Sequence, residues 1–442
     1  MTTALVVLFC AGYLLIALEH KTRINKAAIA LLMCGALWAV LALAGHDPEL
    51  GSRLTGELGS TCEILVYLIG AMTIVDLIDT HGGFGVLTSR IATHDRRRLL
   101  WLLVAITFFM SAILDNMTTA IVMIMLLRRL VPEPRERRIF AGLVVVAANS
   151  GGAWSPIGDV TTIMLWMRGN VTAGPLMLGL FLPALISVAV PTALGARYIA
   201  RGAAPAAPAP PAALPQGVDA RMSRTILVTG VAGLLFVPLF KELTGLPPYM
   251  GMTLALGANW VLTEILYDRR RGMEESIQNR VSKVVKHIDM PTILFFLGIL
   301  MAVEALQSAG ILTGMARWFD GHLHEPYAIT GLIGVLSSVV DNVPLVAACM
   351  GMYPVVDAAT AAASADPAFM QGFVADGIFW HLLSYAAGVG GNLLIIGSAA
   401  GVVAMGLEKI DFGWYLRKIT PLVLAGYLSG LLAIWLQQLA GL

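Results

Sequence analysis

Long apolar stretches separated by short polar connections run through the whole chain. The stretches fall at about 3–18, 27–45, 60–79, 99–127, 138–166, 174–198, 223–240, 248–267, 289–307, 326–350, 373–406 and 418–440. Many reach the roughly 18–20 residues that a helix needs to cross a bilayer. In lipid only helices and closed barrels satisfy all their backbone hydrogen bonds. The pattern therefore predicts an all-α polytopic membrane protein.

The composition excludes a soluble enzyme. Of the 442 residues, 57% are hydrophobic and 13% are charged, with a net charge of +1. Soluble domains carry about a quarter charged residues. The balanced charge offers no nucleic-acid surface, and the four cysteines show no metal-binding or redox spacing. We expect a lipid bilayer as the environment, no cofactor and no nucleic-acid partner.

Basic residues are concentrated in alternate connections between the apolar stretches. The other connections hold only Arg53, Arg168, Lys241 and Arg317. Basic loops favour the cytoplasmic side, so we expect a bacterial inner-membrane protein with its N-terminus and C-terminus outside. Stretches 99–127 and 326–350 break the alternation, because both ends of each lie on one face. They are predicted to be re-entrant hairpins from opposite faces, which leaves ten spans.

Two distant segments share a pattern that indicates an internal repeat. Residues 147–160 (AANSGGAWSPIGDV) and 386–399 (AAGVGGNLLIIGSA) align without gaps, and each follows a hairpin that carries Asp-Asn. The first half begins outside and the second begins inside, so the two repeats have inverted topology. Each repeat is predicted to contain a re-entrant hairpin and a broken transmembrane helix, at 138–166 and 373–406.

The expected domain organisation follows from this repeat. Residues 1–200 form the first repeat, 201–222 a Pro/Ala-rich cytoplasmic linker, and 223–442 the second repeat. Inverted repeats with broken helices are typical of secondary transporters, whose substrate site lies near the membrane midplane. We therefore expect a transporter and not an enzyme.

Polar residues beside the breaks and hairpin tips are the candidate site. Irregular backbone at membrane depth needs cover from protein or water, and an intramembrane Asp costs roughly 2.5–3.5 kcal/mol and is usually functional. Carboxylate, amide and hydroxyl oxygens suit hard cations. The candidates for binding cation or proton are Asp115, Asn116, Thr118, Thr119, Asn149, Ser155, Asp159, Thr161, Thr162, Asp341, Asn342, Ser384, Asn392 and Ser398.

Asp115 and Asp159 are the expected ligands of Na⁺ or Li⁺. A bound cation favours the ionised carboxylate, whereas burial favours the protonated form. One site therefore holds protons or a cation, but not both. This competition predicts exchange of Na⁺ or Li⁺ for H⁺ in an alternating-access cycle. Further intramembrane candidates for water paths or pH response are Glu63, Glu304 and His381.

The motifs resemble those of NhaD-type sodium/proton antiporters of the ion transporter superfamily. The resemblance rests on SAILDNMTTAIVM (111–123), AANSGGAWSPIGDVTTIMLW (147–166), LSSVVDNVPLVAA (336–348) and SYAAGVGGNLLIIGSAAG (384–401). It implies a homodimer with a scaffold part and a moving transport part. The residues it assigns to the cation and proton site are Asp115, Asn116, Asn149, Asp159, Thr161, Thr162 and Asn342.

Two other functions remain open at the level of sequence. An arsenite or oxyanion permease or a dicarboxylate transporter shares the hairpin-plus-broken-span plan. Asp115 and Asp159 would repel an anion, but this objection is weaker for an arsenite permease, because arsenite is neutral at pH 7. A remote alternative is an intramembrane aspartyl protease, whose pattern pairs Tyr-Asp with Gly-x-Gly-Asp. Here Leu114 precedes Asp115, and Pro156 stands where that pattern has its first Gly.

Overall fold

A computed structural model describes residues 1–44, 48–88, 95–199, 214–215, 217–268, 280–339 and 341–441. Apart from one isolated bridge between Val356 and Val374, the regular structure of these residues is helical. This confirms the predicted all-α class. Most of the expected linker 201–222 lies outside the described residues.

Ten α-helices make up the first half of the chain. They are α1 (Thr2–Ala17), α2 (Glu19–Thr22), α3 (Lys26–Ala44), α4 (Leu50–Thr80), α5 (Gly83–Thr88), α6 (Arg96–Ser111), α7 (Asn116–Leu130), α8 (Pro134–Gly152), α9 (Val160–Met167) and α10 (Ala173–Gly195), and a short 3₁₀ turn at Ala196–Tyr198 follows α10.

The described part of the second half contains thirteen α-helices. They are α11 (Ala220–Thr244), α12 (Pro248–Asp268), α13 (Val281–Val284), α14 (Met290–Ser308), α15 (Ile311–His322), α16 (Pro326–Ser337), α17 (Asn342–Met352), α18 (Ala358–Ala362), α19 (Pro367–Met370), α20 (Ile378–Gly390), α21 (Ala399–Glu408), α22 (Phe412–Lys418) and α23 (Thr420–Leu439). Three 3₁₀ turns lie at Val285–His287, Gln371–Phe373 and Gly391–Leu393.

Within the described ranges, six helices are long and apolar enough to cross a membrane. They are Lys26–Ala44, Leu50–Thr80, Ala173–Tyr198, Ala220–Thr244, Met290–Ser308 and Thr420–Leu439. The two predicted broken spans do not qualify as single helices, because each is divided into two shorter ones. The protein is therefore a multi-pass membrane protein, and its ten-span count stays a prediction.

The two repeats end and restart their helices at equivalent positions. In the hairpins, α6 ends at Ser111 and α16 at Ser337, and the next helix starts five residues later in each case. In the broken spans, α9 begins directly after Asp159 and α21 directly after Ser398, the pair that aligns in the sequence repeat. The predicted hairpins and broken helices are thus present in both halves.

Packing between the halves is reciprocal. The hairpin helix α7 of the first half packs against α21 of the second, and α17 of the second half packs against α9 of the first. The final helices α10 and α23 lie against each other, and α3 lies against α14. This interdigitation brings both helix breaks and both hairpin tips to the centre of the molecule, where polar backbone is covered by protein.

Candidate functional site

The first break separates α8 from α9 over residues 153–159. Pro156 supplies no N–H, and Gly151 and Gly152 let the chain approach its neighbours closely. A Cβ on Gly152 would lie 2.6 Å from the carbonyl oxygen of Gly158. The break therefore needs glycine at this point, and it leaves backbone groups free of a regular helix.

Asp159 caps the second arm of this broken span. Its Oδ1 accepts a hydrogen bond from the N–H of Thr161 at 3.2 Å. The N–H of Asp159 donates to Oγ1 of Thr162 at 3.2 Å, and that hydroxyl donates to the Asp159 carbonyl at 2.8 Å. This capping box fixes the carboxyl group at the positive end of α9.

Asn116 and Asn149 connect the first hairpin to this cap. Nδ2 of Asn116 donates to Oδ2 of Asp159 at 3.0 Å and to Oδ1 of Asn149 at 3.1 Å. Asp159 is 4% exposed and Asn149 is fully buried. A carboxylate removed from water is costly unless it is hydrogen-bonded, and these contacts provide the required partners.

The network continues into the second half of the chain. Nδ2 of Asn149 donates to Oδ1 of Asn392 at 2.8 Å and to Oγ of Ser398 at 2.7 Å. Ser398 in turn caps α21 by accepting from the N–H of Gly401. Side chains from one hairpin and both broken spans therefore meet in one buried cluster. We call the five residues Asn116, Asn149, Asp159, Asn392 and Ser398 the central cluster.

Two candidate hydroxyl oxygens near these residues in the sequence make no hydrogen bond within the described parts of the chain. These buried atoms are Oγ1 of Thr119 and Oγ1 of Thr161, each on a fully buried residue. Hydroxyl oxygens without a partner are costly in a protein interior. Such oxygen atoms are available to accept a hydrogen bond or to coordinate a cation.

Asp115 and Thr118 form the tip of the first hairpin. Oδ1 of Asp115 accepts from the N–H of Thr118 at 2.8 Å, which caps α7. Asp115 is half-buried, in contrast to Asp159. The first half therefore offers two carboxylates with different access to water.

The second hairpin also has an aspartate that caps its second helix, but its other contacts differ from those of the first hairpin. Asp341 caps α17, and Oδ1 of Asn342 lies 2.6 Å from Oγ of Ser337. The same serine hydroxyl lies 2.8 Å from the carbonyl of Ala387. Asp341 also forms an ion pair with Lys26, whose Nζ lies 3.2 Å from Oδ2.

The remaining candidates lie beside the breaks. Oγ of Ser155 accepts from the N–H of Ile157 inside the first break. Oγ of Ser384 donates to the carbonyl of Ala153 at 3.0 Å, which joins α20 to that break. Ser384 therefore contacts the first break and Ser155 stabilises its turn.

Three further acidic or basic candidates make no contact with the central cluster in the described structure. Glu304 pairs with Arg168 at 3.2 Å. Nδ1 of His381 faces Gly179, and its Nε2 is without a hydrogen bond. Glu63 is half-buried on α4. Their roles in water paths or pH response stay predictions.

The sequence did not single out the serines that lock each hairpin to its broken span. Oγ of Ser111 donates to the carbonyl of Ala148 at 2.5 Å, and Ser337 makes the equivalent contact to Ala387. A signal was present, because a serine stands four positions before the Asp in both hairpins. Lys26 had no such signal, since 315 positions separate it from Asp341.

The candidate site offers mainly oxygen atoms as possible ligands. No group of three or more His, Cys, Asp and Glu side chains that could hold a metal occurs in the ranges described above. The site combines few carboxylates with amide, hydroxyl and broken-helix carbonyl oxygens. These are hard, weakly charged ligands.

Comparisons with known proteins agree with this architecture. Residues 13–371 match the family model described as "Citrate transporter" (CitMHS). The chain is 42% identical to "Sodium/proton antiporter 1" of Arabidopsis thaliana, over 97% of this chain and 71% of that protein. It is 29% identical to "Na(+)/H(+) antiporter NhaD" of Vibrio cholerae serotype O1, over 96% of this chain and 89% of that protein.

A solved transporter has the same fold. The crystal structure of the YdaH transporter of Alcanivorax borkumensis, described as having an unusual topology, superposes with a TM-score of 0.61 at 13% identity. The match covers 95% of this chain and 99% of that chain. At this identity the likeness concerns the fold alone.

Proposed function

The chain belongs to the citrate transporter (CitMHS) family, and on that premise we propose that it exchanges Na⁺ or Li⁺ for protons across a membrane. Family membership makes it a transporter and not an enzyme, and the resemblance to NhaD-type antiporters is confirmed by the relatives. The printed names of those relatives support sodium/proton antiport. The observation that carries the proposal is the buried carboxyl group of Asp159 within the central cluster.

The proposed exchange follows from the ligands available around Asp159. With a proton on the carboxyl group, the cluster is neutral and no cation is held. With the proton released, the carboxylate, Asp115 and the free hydroxyl oxygens of Thr119 and Thr161 bind Na⁺ or Li⁺. Both loaded forms carry less net charge than the empty ionised site, which lowers the cost of moving it through hydrocarbon. Competition for one site couples the two fluxes.

Alternating access requires one part of the protein to move against another. We propose that the hairpins and broken spans (α6–α9, α16, α17, α20 and α21) form the transport part. The helices α3, α4, α11, α12 and α14 form the scaffold in this proposal. The division into repeats 1–200 and 223–442 is part of the same proposal. A homodimer with the scaffolds in contact is supported by the family resemblance.

We further propose that the protein lies in the bacterial inner membrane with both termini outside, because the basic loops then face the cytoplasm. Alkaline phosphatase fused after Leu442 is then active, and a fusion in the basic loop after Arg129 is inactive. The opposite pattern contradicts this orientation. Cross-linking of the purified protein in lipid tests the proposed dimer.

The decisive experiment measures dissipation of a pH gradient in everted vesicles after adding Na⁺, Li⁺ or K⁺. Wild type is compared with Asp115→Asn and Asp159→Asn, and Asp357→Asn serves as a matched control because Asp357 caps the exposed helix α18. We expect a Na⁺ or Li⁺ response in wild type and control that is lost in both site variants. The rate is expected to rise from about pH 6, since cation binding requires ionised carboxyl groups.

The family description makes an anion the principal competing substrate. Citrate, a dicarboxylate or arsenite is therefore added to the same vesicles. A chain that responds to none of the cations but accumulates one of these solutes contradicts antiport. An exchange rate independent of pH between about pH 6 and 9 contradicts the competition between protons and cation.

A further inference from the structure

An ammonium group lies at the tip of the second hairpin. Nζ of Lys26 is 3.2 Å from Oδ2 of Asp341 and 4.3 Å from the centre of the Phe295 ring. The Lys26 and Asp341 side chains are 29% and 30% exposed. The charge of Lys26 is therefore satisfied by a carboxylate on one hairpin and by an aromatic face on α14.

The backbone holds Lys26 in this position. Lys26 is the first residue of α3, and its N–H donates to Oε1 of Glu19 at 3.0 Å. Oδ1 of Asn25 accepts from the N–H of Ala27 at 2.8 Å, which fixes the same turn. Because α3 also packs along α14, the backbone that carries Lys26 is held at the start of a packed helix.

No lysine of the described residues pairs with the first hairpin in this way. Among the ion pairs found between described residues, none includes Asp115, which occupies the position equivalent to Asp341. Both aspartates cap the following helix, Asp115 by accepting from the N–H of Thr118 and Asp341 by accepting from the N–H of Val343. Two equivalent carboxylates therefore differ in whether the protein itself supplies a positive charge.

We propose that Lys26 is the resident counter-ion of Asp341. Its ammonium occupies the place that a transported cation would take at this hairpin tip, so Asp115 and Asp159, and not Asp341, are the carboxylates that take up the transported cation. Lys26 then determines how many cations the site accepts. The inference rests on the proposed function and extends it to the cation load of one cycle.

Removal of Lys26 and removal of Asp341 are expected to change cation binding in opposite directions. Without Lys26 the uncompensated carboxylate of Asp341 attracts a cation, and without Asp341 the uncompensated ammonium repels one. Loss of both leaves the local charge unchanged. A merely structural pair behaves differently, because both single variants then lose activity in the same direction.

The test compares the apparent KM for Na⁺ in proteoliposomes containing the full chain. Lys26→Met is expected to lower this KM at least about threefold, and Asp341→Asn to raise it by a similar factor. The double variant returns towards the wild-type value. Lys26→Arg keeps the charge and the wild-type KM, and Lys286→Met, which changes an exposed lysine, is the matched control.

Several outcomes overturn the inference. These are an unchanged KM in Lys26→Met, shifts of the same sign in both single variants, or a double variant that is worse than either. Wild type without any Na⁺ exchange overturns the proposed function and this inference with it. An active wild type together with any of the first three results overturns the inference alone.

Discussion

Nδ2 of Asn149 lies 2.8 Å from Oδ1 of Asn392 and joins the two broken helices at the centre of the molecule. These residues are not aligned in the sequence repeat, in which Asn392 stands opposite Ala153. Asn149 also accepts from Asn116 and donates to Ser398. One amide therefore bridges the first hairpin and both breaks.

Replacing Asn149 by Ala is expected to reduce Na⁺-driven exchange at least about tenfold. The change leaves buried polar groups without partners, at about 1–3 kcal/mol each, and separates the two breaks. Proton-gradient dissipation is the measurement. Asn259→Ala is the control, because the buried Nδ2 of Asn259 donates to the carbonyls of Ala255 and Thr229, which lie in the unbroken helices α12 and α11. Wild-type exchange in Asn149→Ala would refute the bridging role.

Two glycines at equivalent positions of the repeats are expected to tolerate no side chain. A Cβ on Gly151 would lie 2.3 Å from the carbonyl oxygen of Phe108, and one on Gly390 would lie 2.3 Å from that of Gly334. Because the neighbour is backbone in both cases, the broken span must move away from its hairpin.

We therefore expect Gly151→Ala and Gly390→Ala each to lower the yield of folded protein and the exchange rate. Fluorescence-detected size-exclusion chromatography measures the first quantity. Gly174→Ala and Gly257→Ala are matched controls in open space. Equal yields of folded protein for all four variants would contradict the close contact between each broken span and its hairpin.

Glu408 binds two arginines that lie on either side of the connection between α7 and α8. Its Oε1 accepts from Nε of Arg128 at 2.7 Å and its Oε2 from Nε of Arg137 at 2.5 Å, and its side chain is 1% exposed. Arg128 also donates to the carbonyl of Leu407. The end of α21 is thereby attached to the connection between α7 and α8.

Glu408→Gln is expected to lower the melting temperature, with a cost of about 1–3 kcal/mol for the charge-assisted hydrogen bonds. A thermal-shift measurement in detergent tests this. Glu242→Gln on the exposed end of α11 is the control. A variant that melts with the wild type shows that the pairing contributes nothing to stability.

A pH-dependent contact outside the spans joins the connection between α15 and α16 to the segment between α17 and α20. Nε2 of His324 lies 2.8 Å from Oδ2 of Asp366, and the ring stacks on Phe369. The hydrogen bond to Asp366 raises the pKa of His324 above 6.5, and the same bond lowers the pKa of Asp366 below 3.8. The contribution of His324 is complete below pH 6.5 and is lost as pH rises through its raised pKa.

Hydrogen exchange of residues 366–373 is therefore expected to be faster in His324→Gln than in wild type at about pH 6, with the difference vanishing at about pH 8. The effect is small, because both side chains are about half exposed and water screens the pair. His322→Gln, which alters a ring stacked on Trp318, is the control. A difference in exchange rate between His324→Gln and wild type that grows with pH would contradict this prediction.

Local signals in the sequence determined the fold class and the position of every break and hairpin tip. Gly151, Gly152 and Pro156, which stand within six residues of one another, favour a helix end at this point, because helix geometry depends on neighbours a few positions away. Asp115, Asp341 and Ser398 precede helices and cap them for the same local reason. The relation between the two halves was likewise visible as a repeat.

Only the tertiary structure decided which of these side chains meet. The bridge from Asn149 to Asn392 and the pair of Lys26 with Asp341 join residues 243 and 315 positions apart. Such contacts arise from the packing of inverted halves, α7 on α21 and α17 on α9. Residues a few positions apart are enough to specify where a helix ends. A contact between two side chains far apart in the sequence depends on how all the helices that lie between those two residues pack.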